Sequence, residues 1–163
     1  MKKTMTIIVL FAVLLITVSA YPGRVYEAAD GYKAPAITLT NSDTTMSLAD
    51  LKGRYVVLAF WASSDAASRV EAGELDAFAA NADEEQFCLV SVNLDRSENL
   101  FREIIRRDNL KAGAQYHVNK DEAVKITEAY HLDNGFKSFL IDPEGRIIAT
   151  NPTSVTLTQV LRN

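Results

Sequence analysis

A single cysteine, Cys88, stands in a chain of 163 residues. No intramolecular disulfide can form, and no pair of thiols is available for two-electron sulfur exchange. Histidine is nearly as scarce, with only His117 and His131, and no Cys/His pair lies at ligand spacing, so the sequence calls for no metal. No nucleic-acid partner is expected, because the 17 Lys and Arg residues are interspersed among 21 Asp and Glu and build no basic block. Internal repeats and low-complexity tracts are missing as well.

The only apolar run that invites a membrane reading is at the N-terminus, where Lys2 and Lys3 precede residues 7–18 and the small-residue sequence Val18-Ser19-Ala20. That is the outline of a secretory signal peptide cut after Ala20. The run is about a dozen residues long, short of the roughly 20 that a helix needs to cross a bilayer. The expected organisation is a signal peptide over 1–20, an irregular lead-in over 21–33 and one folded domain over 34–163. The protein is then periplasmic or secreted, with no stable membrane insertion. An uncleaved anchor is the alternative, since Met5, Thr6, Ser19 and Ala20 can lengthen the apolar stretch. Without Lys2 and Lys3 the chain carries 15 basic against 21 acidic residues, a net charge of about −6 that favours solubility.

What remains alternates between strand and helix signals. Ile37 and Leu39 predict a short strand over 36–40, residues 41–45 a turn, and Met46 a return to extended backbone. Ser47 heads one helical turn that Gly53 stops. Residues 55–61 (YVVLAFW) are a continuous apolar, β-rich run, as expected of a central strand covered on both faces. Ala62-Ser63-Ser64-Asp65 supplies helix-start residues, and the helix over 66–80 offers Val70, Leu75 and Phe78 to a core. Residues 87–94 predict a second buried strand. An amphipathic helix over 97–108 follows, with Leu100, Phe101, Ile104 and Ile105 on its apolar side. Strand, helix and strand in that order imply a parallel pair with a crossover. A helix over 122–131 presents Ala123, Val124, Ile126, Ala129 and Tyr130. Residues 137–141 and 146–150 form a hairpin about Asp142-Pro143-Glu144-Gly145, and residues 154–162 a short closing helix. The class is α/β, with a central mixed sheet between helices in three layers.

Three separated motifs are more specific than this order. Ala34-Pro35 before a strand, SLADLKGR leading into YVVLAFWAS, and the later FLIDPEGRIIA resemble the TlpA/ResA branch of the thioredoxin-like superfamily, which also includes the alkyl hydroperoxide reductase relatives. The resemblance covers about residues 30–162 and implies a thioredoxin-like fold. In that family the junction reads phenylalanine, tryptophan, alanine, a variable pair, then Cys-x-x-Cys at a helix N-terminus. Here Phe60, Trp61, Ala62 and Ser63 are in place and Ser64 precedes the first site position. Asp65 replaces the first cysteine and Ser68 the second. A carboxylate gains the same helix-end stabilisation as a thiolate but forms no mixed disulfide, so Asp65 reads as a helix cap or first-turn anion. The family's cis-proline before the FLID strand is replaced by Phe136, which predicts a trans bond and an altered groove. Glu71 stands where the family often keeps an acid, and Gly73 replaces a helix-bending proline.

The resemblance therefore implies a degenerate oxidoreductase, with Asp65, Ser68 and Glu71 as remnants and no catalytic residue expected. The reading is a cofactor-free binding or accessory module of the cell envelope. Trp61, Ser64, Asp65 and Phe136 are its candidate contacts for a protein or peptide at the former groove. The alternative is a thiol-disulfide oxidoreductase or peroxide-related antioxidant protein acting through Cys88 or a partner's thiols. Cys88, inside an apolar strand with no basic neighbour in sequence, reads instead as a small buried residue. A third reading is an acid-dependent activity centred on Asp65 and Glu71; a hydrolytic site that adds Ser68 lacks a base, because no local signature ties His117 or His131 to it.

Overall fold

The computed structural model describes residues 28–41 and 45–162. The expected signal peptide, most of the lead-in and the middle of the 41–45 turn lie outside the described residues. Along the chain run β1 (Thr38–Thr40), β2 (Thr45–Ser47), β3 (Tyr55–Trp61), α1 (Ala66–Ala79), β4 (Phe87–Asn93), α2 (Glu98–Arg107), β5 (Gln115–His117), α3 (Lys120–Tyr130), β6 (Ser138–Ile141), β7 (Ile147–Thr150) and α4 (Ser154–Leu161).

Five strands make the middle layer in the order β5-β4-β3-β6-β7, while β1 and β2 form a separate antiparallel pair. β3 is central, parallel to β4 and antiparallel to β6. Its continuous apolar run has the expected cause, since each face is buried against a different cluster. Val56, Leu58 and Phe60 join Val90, Val92, Ile126, Tyr130 and Phe139 on the α3 side. Val57 and Ala59 join Leu75, Leu89, Leu140 and Leu157 on the side of α1 and α4. Trp61 continues that second face and packs with Ala72, Phe101, Ile104 and Leu110. The result is the three-layer α/β/α arrangement with the core divided by the sheet.

Local chemistry sets the element ends. The Asp50 carboxylate accepts from the Ser47 N–H at 2.7 Å and its hydroxyl at 2.8 Å, holding the 3₁₀ turn Leu48–Leu51. Asn119 caps α3 by accepting from the Asp121 and Glu122 N–H groups, and Glu122 reaches back to the Asn119 N–H in a capping box. The β6–β7 hairpin turns as predicted at Asp142-Pro143-Glu144-Gly145, where the Gly145 N–H donates to the Asp142 carbonyl at 2.9 Å. Gly145 has φ +84, which a side chain would strain.

Three helix assignments need correction. Val70 is 62% exposed, Val124 51% and Leu100 41%. In α1 the buried stripe runs through Ser68, Ala72, Leu75 and Asp76, so Val70 falls on the opposite side. In α2 and α3 burial falls on Phe101 and Ile104, and on Ile126 and Tyr130. β5, which the sequence reading missed, extends the parallel part of the sheet through Ser91↔Gln115, Val92↔Tyr116 and Asn93↔His117.

Candidate functional site

The junction between β3 and α1 lies at the C-terminal end of the parallel strands, where α/β sheets commonly place their sites. Asp65 is the N-cap of α1, with extended backbone (φ −98, ψ 106), and its Oδ1 accepts from the Ser68 N–H at 2.7 Å. That N–H, helped by the Ser68 hydroxyl, holds the Asp65 carboxyl below the usual carboxylate range. Ser68 is buried at 5% exposure. Its hydroxyl donates to the Asp65 carbonyl at 3.3 Å and accepts from the Ala62 N–H at 3.4 Å. The two residues at the cysteine positions are thus spent on closing the first turn of the helix. Ser64 beside them is exposed.

Glu71, one turn further on, accepts a hydrogen bond from the Ser138 hydroxyl at the start of β6. Ser138 is itself held by Asn151, which accepts from its N–H at 3.0 Å and donates to its carbonyl at 2.7 Å. The acid that the sequence suggested for chemistry therefore ties α1 to the β6–β7 hairpin.

Trp61 is not a surface anchor. It is 0% exposed, its ring centroid lies 6.2 Å from that of Phe101, and it faces α1 and α2. Phe136 is half-buried against the opposite core, with Phe60 and Tyr130. Consecutive residues on a strand point to opposite faces, so Phe60 and Trp61 separate, and Trp61 and Phe136, both candidate groove contacts, pack against different cores. No peptide bond among the described residues is cis, so the bond before Phe136 is trans as expected.

A residue that sequence reasoning missed holds the junction from the side. Asp95, after β4, accepts from the Ser63 N–H at 3.1 Å, from the Ser63 hydroxyl and from Asn93 Nδ2 at 2.9 Å. The Asp95 carbonyl accepts from His117 Nε2 at 2.8 Å, which fixes the proton on that nitrogen, and the His117 ring lies against Phe101 with centroids 5.4 Å apart. His117 thus has a structural role, and His131 is the α3 C-cap in left-handed conformation, φ 51. Among the described residues no hydrogen bond joins either histidine to Ser68. The loop position of Asp95 carried no sequence signal beyond its place after a buried strand.

Cys88 lies far from all of this. It pairs with Val56 at the start of the strands, five residues before Asn93, the partner of Trp61. At ~3.3 Å per residue the thiol is about 16 Å from the junction. It is partly rather than fully buried, and burial pushes its pKa up, with Arg54 opposing and Glu84 adding to the rise. Arg54, Glu84, Lys111 and Gly113 share its open groove of about 470 Å³. Among the described residues no group of three or more His, Cys, Asp or Glu is placed to hold a metal ion, and no helix is long and apolar enough to cross a membrane.

Comparison with known proteins agrees with this architecture. The model of the AhpC/TSA family matches residues 31–150. A thioredoxin-like protein from Parabacteroides distasonis ATCC 8503 is 31% identical, with a TM-score of 0.73 over 84% of this chain and 97% of its own. A thiol:disulfide interchange protein from Bacteroides sp. is 28% identical, with a TM-score of 0.74 over 83% and 91%. The thioredoxin domain of a thiol-disulfide oxidoreductase from Bacteroides vulgatus is 29% identical, with a TM-score of 0.70 over 82% and 98%. No curated protein matches the chain.

Proposed function

The chain belongs to the AhpC/TSA family, and from that premise we propose that this member works by binding and not by sulfur exchange. It is an exported, non-catalytic thioredoxin-like module of the cell envelope that holds a protein or peptide at the former active-site groove. The observation that carries the reading is the capping geometry at α1. Where the chemistry of the TlpA/ResA branch needs a nucleophilic thiolate and a resolving thiol three residues on, a carboxylate and a buried hydroxyl are occupied by the helix's own first turn. A thiolate attacks sulfur, and neither oxygen group replaces it.

The competing reading, redox work through Cys88, is disfavoured by place and by protonation. The thiol is about 16 Å from the junction, and burial raises its pKa where a reactive cysteine needs it lowered. Export is supported by the Lys2-Lys3, apolar-run and Val18-Ser19-Ala20 sequence, in which the apolar run is too short for a comfortable span. The binding surface comprises the exposed Ser64 and Asp65 with the half-buried Phe136. Trp61 leaves the list, since its whole side chain is inside.

The test is capture from envelope extract on immobilised protein, comparing wild type with Ser64→Arg and Phe136→Ala. The reading predicts a partner retained by wild type and lost from both variants. An identical set of captured proteins on all three removes the groove as the binding site.

A further inference from the structure

We infer that the packed layer between the sheet and helices α1 and α2 is a water-binding site, with buried water ordered on Trp61 Nε1, Ser91 Oγ and Gln115 Oε1. These three atoms are buried and have no hydrogen-bond partner among the described residues. Their residues are 0%, 0% and 2% exposed.

Strand register brings them together. Ser91 pairs with Gln115 on one side and Ala59 on the other, and Trp61 stands two residues beyond Ala59. All three side chains therefore leave the sheet on one face. With strands ~4.8 Å apart and residues rising ~3.3 Å, the Trp61 and Gln115 Cα atoms both lie within about 8 Å of that of Ser91.

Their chemistry is complementary. The indole N–H only donates, the amide oxygen only accepts, and the hydroxyl does both. The orientation of the Gln115 amide is fixed, because its Nε2 donates to Asp76 Oδ1 at 3.2 Å. Turning the amide over sets its oxygen against a carboxylate, so Oε1 is the atom left facing inward. Asp76 is buried in turn and accepts the Lys111 N–H at 3.0 Å. Protein interiors leave few such groups unpaired, and an internal water typically makes about three bonds. Here it accepts from Trp61 Nε1, donates to Gln115 Oε1 and bonds Ser91 Oγ. The water extends a polar seam from Asp76 on α1 to Trp61, the residue from which the junction departs.

The chain's one tryptophan gives a single indole resonance, which makes the test direct. In full-length protein labelled with ¹⁵N-tryptophan, NOE and ROE transfers are measured between the indole N–H and water. A long-lived internal water gives cross-peaks of opposite sign in the two experiments, and the proposal expects that pattern. An indole with no water cross-peak, or with exchange peaks of equal sign only, overturns it. Ser91→Val and, independently, Gln115→Met remove one partner each and are expected to abolish or sharply weaken the transfer. Undiminished transfer in either folded variant shows that the water is not bridged as described.

Discussion

Replacing Trp61 with alanine tests whether the junction's aromatic is core or contact surface. The indole is fully buried between β3 and helices α1 and α2, beside Phe101, Ile104 and Leu110. A buried tryptophan removes some 150–250 Å² from water, which at ~25 cal/mol per Å² is about 4–6 kcal/mol as an upper bound. Aromatic-to-alanine changes in cores cost about 3–5 kcal/mol, so Trp61→Ala is expected to lose about 4 kcal/mol. Trp61→Phe keeps most of the ring and loses about half as much by the same area argument. The loss is a large share of the roughly 5–15 kcal/mol that stabilises an ordinary domain. Urea unfolding followed by far-ultraviolet circular dichroism is the assay, because the substitution removes the only tryptophan and with it the fluorescence signal. A loss under about 1 kcal/mol is the size expected of a surface position and refutes the burial argument.

Other consequences follow from single groups. The Cys88 thiol is pushed up by burial; the folded state therefore holds its proton more tightly than the unfolded chain. The thiol's contribution to stability is level below about pH 8.5 and falls as pH rises past it, and thermal melts between pH 7 and 9.5 should lose that fall in Cys88→Ser. Tyr130 is 1% exposed, its hydroxyl donates to the Pro35 carbonyl at 2.6 Å, and burial raises its pKa. Tyr130→Phe leaves that carbonyl unpaired at a cost of about 1–3 kcal/mol in urea titrations and flattens the loss of stability above about pH 10. Arg69 grips Asp108 at 2.5 and 2.6 Å, with both side chains about a quarter exposed, and this holds the Asp108 carboxyl below its ordinary range. The pair's contribution is present above about pH 4 and disappears as pH falls through the lowered value. Discounted for solvent screening, Asp108→Asn should cost about 1 kcal/mol at pH 7 and nothing measurable once wild type is protonated.

The sequence spoke clearly where burial was two-sided or turn chemistry was local. β3 was legible because helices cover both its faces, and the hairpin because Pro143 and Gly145 suit only a few backbone paths. Asp65 was legible as a cap because its side chain acts on a residue three positions away. Periodicity marks an apolar arc without saying which neighbour fills it, and Val70, Val124 and Leu100 lie beyond the arc that the sheet covers. β5 escaped because three residues, two of them polar, become a strand only through pairing with β4. Trp61 was misplaced as a contact residue since the depth of α1 and α2 over the strand end is a tertiary property. The same holds for Asp95, whose partner Ser63 lies 32 residues away in the chain.

Catalytic turnover of an insulin disulfide by the purified chain is the most direct measurement, run beside Cys88→Ser and a dithiothreitol-only baseline. With Asp65 and Ser68 bonded into the helix start and the lone, half-buried thiol at the far end of the strands, wild type is expected to match both controls. Reduction above the baseline that vanishes in Cys88→Ser contradicts the account.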